Sequence, residues 1–170
     1  MHNFRRLWWF TLVGLSLVAI VPGTVMADPP EGWAFQPLDK ALQQAARENR
    51  RIFLYFGRHG CPSCEKTNRE SFTDTRVIEA YNANYVLAYA DSEGGKRLRM
   101  NSGERITEMA LGSRLQVYGT PFFYFMEPNG KPIMRAPGYQ RADEFLAYDR
   151  FVNGEHYKTT TLAEFLESDT

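Results

Sequence analysis

Residues Ile52 to Cys64 read IFLYFGRHGCPSC, and this stretch decides the fold. IFLYF (Ile52–Phe56) is a continuous apolar run, the pattern of a strand buried on both faces rather than one with a wet side. Gly57 to Gly60 reads as a turn. Proline is well tolerated in a first helical turn, so Cys61-Pro62 predicts a helix start, with the helix running to about Ser71. A strand, a turn and a helix thus bring Cys61 to a helix N-terminus. A thiol there faces unpaired N–H groups and the positive end of the helix dipole. Both favour the thiolate, which makes Cys61 the nucleophile. Cys64 lies one turn further on, expected buried and protonated, placed to attack a mixed disulfide formed on Cys61. Pro62 helps hold the turn, and Ser63 completes the dipeptide between the sulfurs.

Other uses of the pair fit less well. A structural disulfide closing so small a loop removes little entropy from the unfolded chain. A zinc site would draw on His59, Cys61 and Cys64 and fall at least one ligand short, since His2 lies near the N-terminus and His156 is distant. No metal is therefore expected. Two incidental buried thiols do not suit an exposed strand-to-helix turn. His59 would stabilise a neighbouring thiolate when charged, although a plain loop residue is the simpler reading. The whole chain has only these two cysteines, the number one redox dithiol needs.

Moving outward, Leu38, Ala41, Leu42 and Ala45 recur at helical spacing behind Asp39, which predicts a helix capped by that aspartate. Residues 28–37, opening with a Pro-rich segment, read as an exposed leader. Asp74 predicts the cap of a shorter helix containing Val77 and Ile78. YVLAYA (Tyr85–Ala90) is a second strand. Asp91 to Gly103 is polar and charged and reads as a solvated loop, followed by a helix starting between Ser102 and Thr107 and ending near Gln116. FFYFM (Phe122–Met126) is a third strand, directly after Thr120-Pro121. Asn129-Gly130 is a hairpin signal, with Lys131 to Arg135 returning. Phe145, Tyr148 and Val152 mark another helix, and Leu162, Phe165 and Leu166 a short terminal one. This order predicts one α/β domain over 38–170: a mixed sheet of parallel strands plus an antiparallel hairpin, with helices on both faces.

The chain has 170 residues, 44% of them apolar, and 20 basic residues balance 20 acidic ones. Wholesale disorder is excluded, and the lack of a basic excess argues against nucleic acid as a partner. The first 27 residues stand apart. Arg5 and Arg6 precede an apolar run, LWWFTLVGLSLVAIV (Leu7–Val21). Pro22-Gly23 breaks that run, and Val25-Met26-Ala27 offers small residues where a signal peptidase reads. This predicts a secretory signal peptide over 1–27, cleaved before Asp28, and hence a periplasmic protein that meets the membrane only through that segment. A helix of these 15 uncharged, mostly apolar residues would rise about 22 Å, short of a hydrocarbon core of roughly 30 Å. Removing 1–27 leaves 143 residues with 18 basic against 20 acidic, a net charge of −2.

The CPSC helix start, the strand before it, the helix preceding VYGTP (Val117–Pro121), the strand FFYFM, the Asn-Gly hairpin and Gly138 together resemble the thioredoxin-like family, over Leu38 to Leu166. Within it, the long segment before Pro121, the stretch Arg135-Ala136-Pro137-Gly138-Tyr139 and the tail from Phe145 to Leu166 resemble the SoxW type of sulfur-oxidation clusters. The resemblance implies a thiol–disulfide oxidoreductase without cofactor, with Cys61 attacking and Cys64 resolving. It implies a cis bond at Thr120–Pro121 that presents the Thr120 backbone to an extended substrate peptide. It also implies oxidised protein substrates, a membrane electron-donor protein and a monomer. Two departures stand out. The family's Trp-Cys-Gly-Pro-Cys is here Gly60-Cys61-Pro62-Ser63-Cys64. Its buried aspartate, six residues before the first cysteine, is here Tyr55, which puts efficient general reductase chemistry in question. Glu65 and Lys66 are expected to face solvent. Three roles stay open at this point: a reductase, an oxidase or isomerase, and a sulfur-carrier or binding protein without turnover. The resemblance and the small size lean toward the first.

Overall fold

A computed structural model describes residues 32–168. The expected signal segment lies outside the described residues. The elements run β1 (Gln36–Pro37), α1 (Leu38–Glu48), β2 (Arg51–Gly57), α2 (Pro62–Glu70), α3 (Thr75–Asn84), β3 (Tyr85–Asp91), β4 (Arg97–Arg99), β5 (Arg105–Thr107), α4 (Glu108–Arg114), β6 (Phe122–Met126), β7 (Pro132–Pro137), α5 (Ala142–Asn153) and α6 (Leu162–Ser168), with a 3-10 turn at His156–Lys158.

Five strands form one mixed sheet in the order β1-β3-β2-β6-β7. β2 pairs parallel with β3 from Arg51↔Tyr85 to Gly57↔Asp91 and antiparallel with β6 from Ile52↔Met126 to Phe56↔Phe122. The hairpin strand β7 closes one edge. The central place of β2 explains its unbroken apolar run, because both of its faces are covered. Phe53 and Tyr55 point into one layer with Phe123, Phe125, Phe72, Tyr81 and Phe145, against α3 and α5. Ile52, Leu54 and Phe56 point into the other, with Leu38, Ala41, Leu42 and Ala45 of α1 and Leu111 of α4. The first layer is predominantly aromatic. Phe53 stacks on Phe123 with centroids 5.7 Å apart, and Phe145 meets Phe123 edge-on at 5.0 Å. Such pairs add about 0.5–1.5 kcal/mol each beyond area burial. They make a stiff floor under the end of β2 that leads to the cysteines. The expected α/β architecture is the one observed.

Four local expectations need correction. Residues 33–37 are not an exposed leader. Trp33 is buried, its indole N–H donates to the Phe72 carbonyl at 2.9 Å, and Gln36–Pro37 pair with Ala88–Tyr89. Asp39 does not cap α1. The chain passes straight from β1 into the helix with Pro37 at the cap position, and Asp39 sits in the first turn. The segment from Asp91 to Gly103 is not all loop, because β4 and β5 pair as a separate two-stranded ribbon, with Leu98 and Ile106 buried beneath it. The helix after it begins only at Glu108, capped by the Thr107 hydroxyl, since Arg105–Thr107 belongs to the ribbon. Asp74 does cap α3, accepting from the Arg76 N–H. That helix reaches Asn84, longer than expected, because buried Tyr81 anchors its second half by donating to the Phe145 carbonyl at 2.8 Å.

Candidate active site

Cys61 occupies the N-cap of α2 and Pro62 its first helical position. The Cys61 sulfur plays the part a serine or aspartate oxygen usually plays, accepting the Cys64 backbone N–H at 3.1 Å. Cys61 and Cys64 are joined as a disulfide, with Cα atoms 5.2 Å apart. Gly60 supplies the left-handed conformation, φ +61°, that the turn needs before the helix.

The loop before β6 closes over this sulfur. The Thr120–Pro121 bond is cis. The Thr120 hydroxyl donates to Cys61 Sγ at 3.3 Å, and the Thr120 carbonyl oxygen lies 3.5 Å from it. The Pro121 carbonyl accepts the Gly138 N–H at 2.8 Å, which fixes the loop against the end of β7. Cys61 is 2% exposed and Cys64 0%. The turn was expected to be exposed; the Thr120-Pro121 loop instead roofs the sulfur, while Pro62, Ser63 and His59 remain in solvent. Cys61, Cys64, Thr120 and Pro121 therefore come together. Pro62 shapes the turn. His59 is turned outward, and its carbonyl accepts from the Arg58 guanidinium at 3.3 Å.

Beneath the site lies Tyr55, fully buried. Its hydroxyl donates to Asn68 Oδ1 at 3.4 Å, and burial pushes its pKa far above the ordinary phenol value. It is a neutral group throughout the working range and does not replace a carboxylate. Glu65 and Lys66 face solvent as expected. The Lys66 ammonium sits 4.0 Å from the centre of the Tyr139 ring, whose hydroxyl donates to Glu70 at 3.0 Å. Ser71, buried just past the helix end, donates to the Gln140 carbonyl at 2.6 Å. The far end of α2 is thus tied to the segment after β7, the same segment that holds Pro121.

A cleft of about 420 Å³ opens beside Pro121, lined in part by Tyr118, Gly119, Thr120, Phe122 and Arg135. Sequence reasoning did not single out Tyr118, which is 88% exposed. The available signal was an aromatic residue two positions before Thr120 in a glycine-containing loop.

The chemistry follows from where the donors point. In this disulfide form the Cys64 N–H and the Thr120 O–H both aim at Cys61 Sγ, and the same donors would favour negative charge on that sulfur once the bond is reduced. The arrangement can support thiol–disulfide exchange. A thiolate at Cys61 can attack a disulfide, one sulfur bonding to Cys61 while the other leaves as a thiolate. A deprotonated Cys64 can then attack Cys61 Sγ, expel the second sulfur and close the disulfide seen here. Two electrons pass in one sense or, by the reverse sequence, in the other.

Comparison with known proteins agrees with this geometry. A model of the thioredoxin-like domain matches residues 38–153. The thiol:disulfide interchange protein DsbD of Ralstonia nicotianae is 32% identical over 111 residues, covering 65% of this chain but 17% of its own length. A thioredoxin-fold protein from Helicobacter pylori superposes with a TM-score of 0.65 at 21% identity, over 71% of this chain and 82% of that one. The oxidised C-terminal domain of Neisseria meningitidis DsbD gives 0.52 at 18% identity, over 65% and 89%. The aromatic layer, the roofed CPSC helix start and the match across residues 38–153 lead to one conclusion: the chain belongs to the thioredoxin-like family, as a thiol–disulfide oxidoreductase whose redox pair is Cys61–Cys64.

Proposed function

We propose that the protein works as a reductase of disulfides in partner proteins on the outer side of a bacterial inner membrane, and that a membrane electron-donor protein returns it to the dithiol state. The observation that carries the direction is the donor set around Cys61. It comprises one backbone N–H, one hydroxyl and a helix N-terminus, with no cation between the cysteines and His59 turned away. An oxidising dithiol owes its high potential to strong stabilisation of the reduced form. This site offers only moderate stabilisation, which leaves the disulfide comparatively stable and the dithiol reducing. The 32% identity to part of a thiol:disulfide interchange protein supports the same class of chemistry. The location rests on the sequence of residues 1–27.

Equilibration with glutathione or thioredoxin buffers tests the direction. A potential near about −270 mV is expected, while a value near about −120 mV overturns the reductase reading in favour of an oxidase. Cys64→Ser should accumulate mixed disulfides through Cys61, and Cys61→Ser should abolish turnover. If Cys61→Ser reduces insulin as well as the parent protein, the redox assignment fails and a carrier role gains. Recovery of a chain starting at Asp28 from the periplasmic fraction tests the location.

A further inference from the structure

The β4–β5 ribbon is not part of the main sheet, and the polar contacts of Cys61 come from Cys64 and Thr120 rather than from it. Its inner face supplies Leu98 and Ile106 to the core. Its outer face carries Arg97, Arg99 and Arg105, all exposed. Arg99 stands directly opposite Arg105 in the antiparallel register. Their Cα atoms are therefore about 5 Å apart, and Arg97 lies about 7 Å along the same face. Like charges placed directly opposite destabilise a strand pair.

Nothing nearby relieves them. Among the described residues none of the three arginines has an ion pair, and two exposed acids that flank the ribbon, Glu93 and Glu104, are engaged elsewhere. Glu104 holds Arg114 at 2.7 Å and Glu93 lies 3.7 Å from Arg58. Three uncompensated guanidinium groups thus share one face of a ribbon in a chain whose formal net charge is zero.

We infer that this ribbon is a docking surface for an acidic partner protein, its closely spaced arginines engaging a cluster of surface carboxylates. Two observations favour a protein over an anionic membrane. The outward positions of the ribbon, Arg97, Arg99 and Arg105, carry no apolar side chain, and the large exposed hydrophobic residue nearest in sequence, Met109, lies beyond the ribbon on α4. Arginine forks also pair bidentately with individual carboxylates, which suits a patterned partner better than a diffuse headgroup layer. The inference does not use the dithiol. A failed redox assay leaves it standing, and failed docking leaves the redox site untouched.

The test measures binding of the purified protein to a fluorescein-labelled oligoglutamate peptide, with vesicles of phosphatidylglycerol and phosphatidylethanolamine as the competing surface. Oligoglutamate should bind, and weaken steeply as salt is raised. The Arg97→Gln/Arg99→Gln/Arg105→Gln variant should bind it about tenfold more weakly. Arg99→Gln alone should lose a smaller share, and Arg141→Gln, an exposed cation elsewhere, none. Exchange with a small uncharged disulfide should be unchanged in all three variants. Equal oligoglutamate binding by the parent protein and the triple variant overturns the inference. So does arginine-dependent binding to vesicles in preference to the peptide, which would make the ribbon a membrane-facing surface.

Discussion

Replacing Thr120 with valine isolates a single interaction at the reactive sulfur. Valine keeps the β-branched shape and the extended conformation required before proline, so the roof over Cys61 stays in place. What disappears is the hydroxyl that donates to Cys61 Sγ at 3.3 Å. A hydrogen bond to a charged acceptor contributes about 1.5–3 kcal/mol. The long sulfur contact belongs at the low end, so about 1.5 kcal/mol is the working figure. The bond favours the thiolate over the thiol, so its loss raises the Cys61 titration midpoint, by about one unit at 1.36 kcal/mol per unit. The same loss destabilises the dithiol state relative to the disulfide, which lowers the two-electron potential by about 30 mV. Thiolate absorbance followed against pH in the reduced protein reads the first number, and redox-buffer equilibration reads the second. The two shifts have opposite signs on their own scales and must appear together. An unchanged midpoint in a folded Thr120→Val protein would show that Thr120 does not tune the nucleophile, and the reading of the donor set around Cys61 would fail with it.

Three further outcomes follow from other parts of the structure. Tyr55→Phe should leave the pH profile of exchange unaltered, because burial keeps the phenol protonated; a lost titration step in stopped-flow kinetics would show that Tyr55 does carry a proton. Burial pushes the Glu108 carboxyl above its ordinary 4.5, so the folded state holds that proton longer than the unfolded chain does. Stability must then fall as pH rises from about 4.5 through the raised value, and urea midpoints of Glu108→Gln should lack that part of the slope. Ser71→Ala removes the donor to the Gln140 carbonyl inside the protein and should cost about 1–2 kcal/mol by urea unfolding, with an unchanged midpoint ruling out the tie between α2 and the segment after β7.

The parts legible in the sequence were those with a local cause. IFLYF announced a strand covered on both faces because burial on both sides removes alternation. Cys61-Pro62 announced a helix start because proline suits that position. Asn129-Gly130 announced its hairpin through backbone preference alone, and Gly130 adopts φ +85°. The misread parts depend on distant partners. Trp33 has no periodic neighbours and is fixed by Phe72, 39 positions away. Asp39 looked like a cap because a loop was assumed before it, but backbone pairing with β3 consumed that loop. The β4–β5 ribbon did leave a trace, the polar-apolar-polar alternation of Arg97-Leu98-Arg99, too short to stand out from a charged loop. The burial of Cys61 had no local sign at all, since its roof comes from Thr120.

The anchoring of Trp33 beside the end of α2 also fixes how far the catalytic head can stand from whatever holds the N-terminus. The thioredoxin-like match begins only at residue 38, yet the indole contact lies five residues earlier. A chain cleaved before Asp28 keeps only residues 28–32 ahead of that anchor, a span of at most roughly 17 Å. If Leu7 to Val21 instead stayed in the bilayer, the eleven residues from Pro22 to Gly32 would allow about 38 Å at full extension. A form cleaved there would be free to diffuse, whereas a form held by the apolar run would sweep a shallow dome above the membrane and reach only disulfides presented within it.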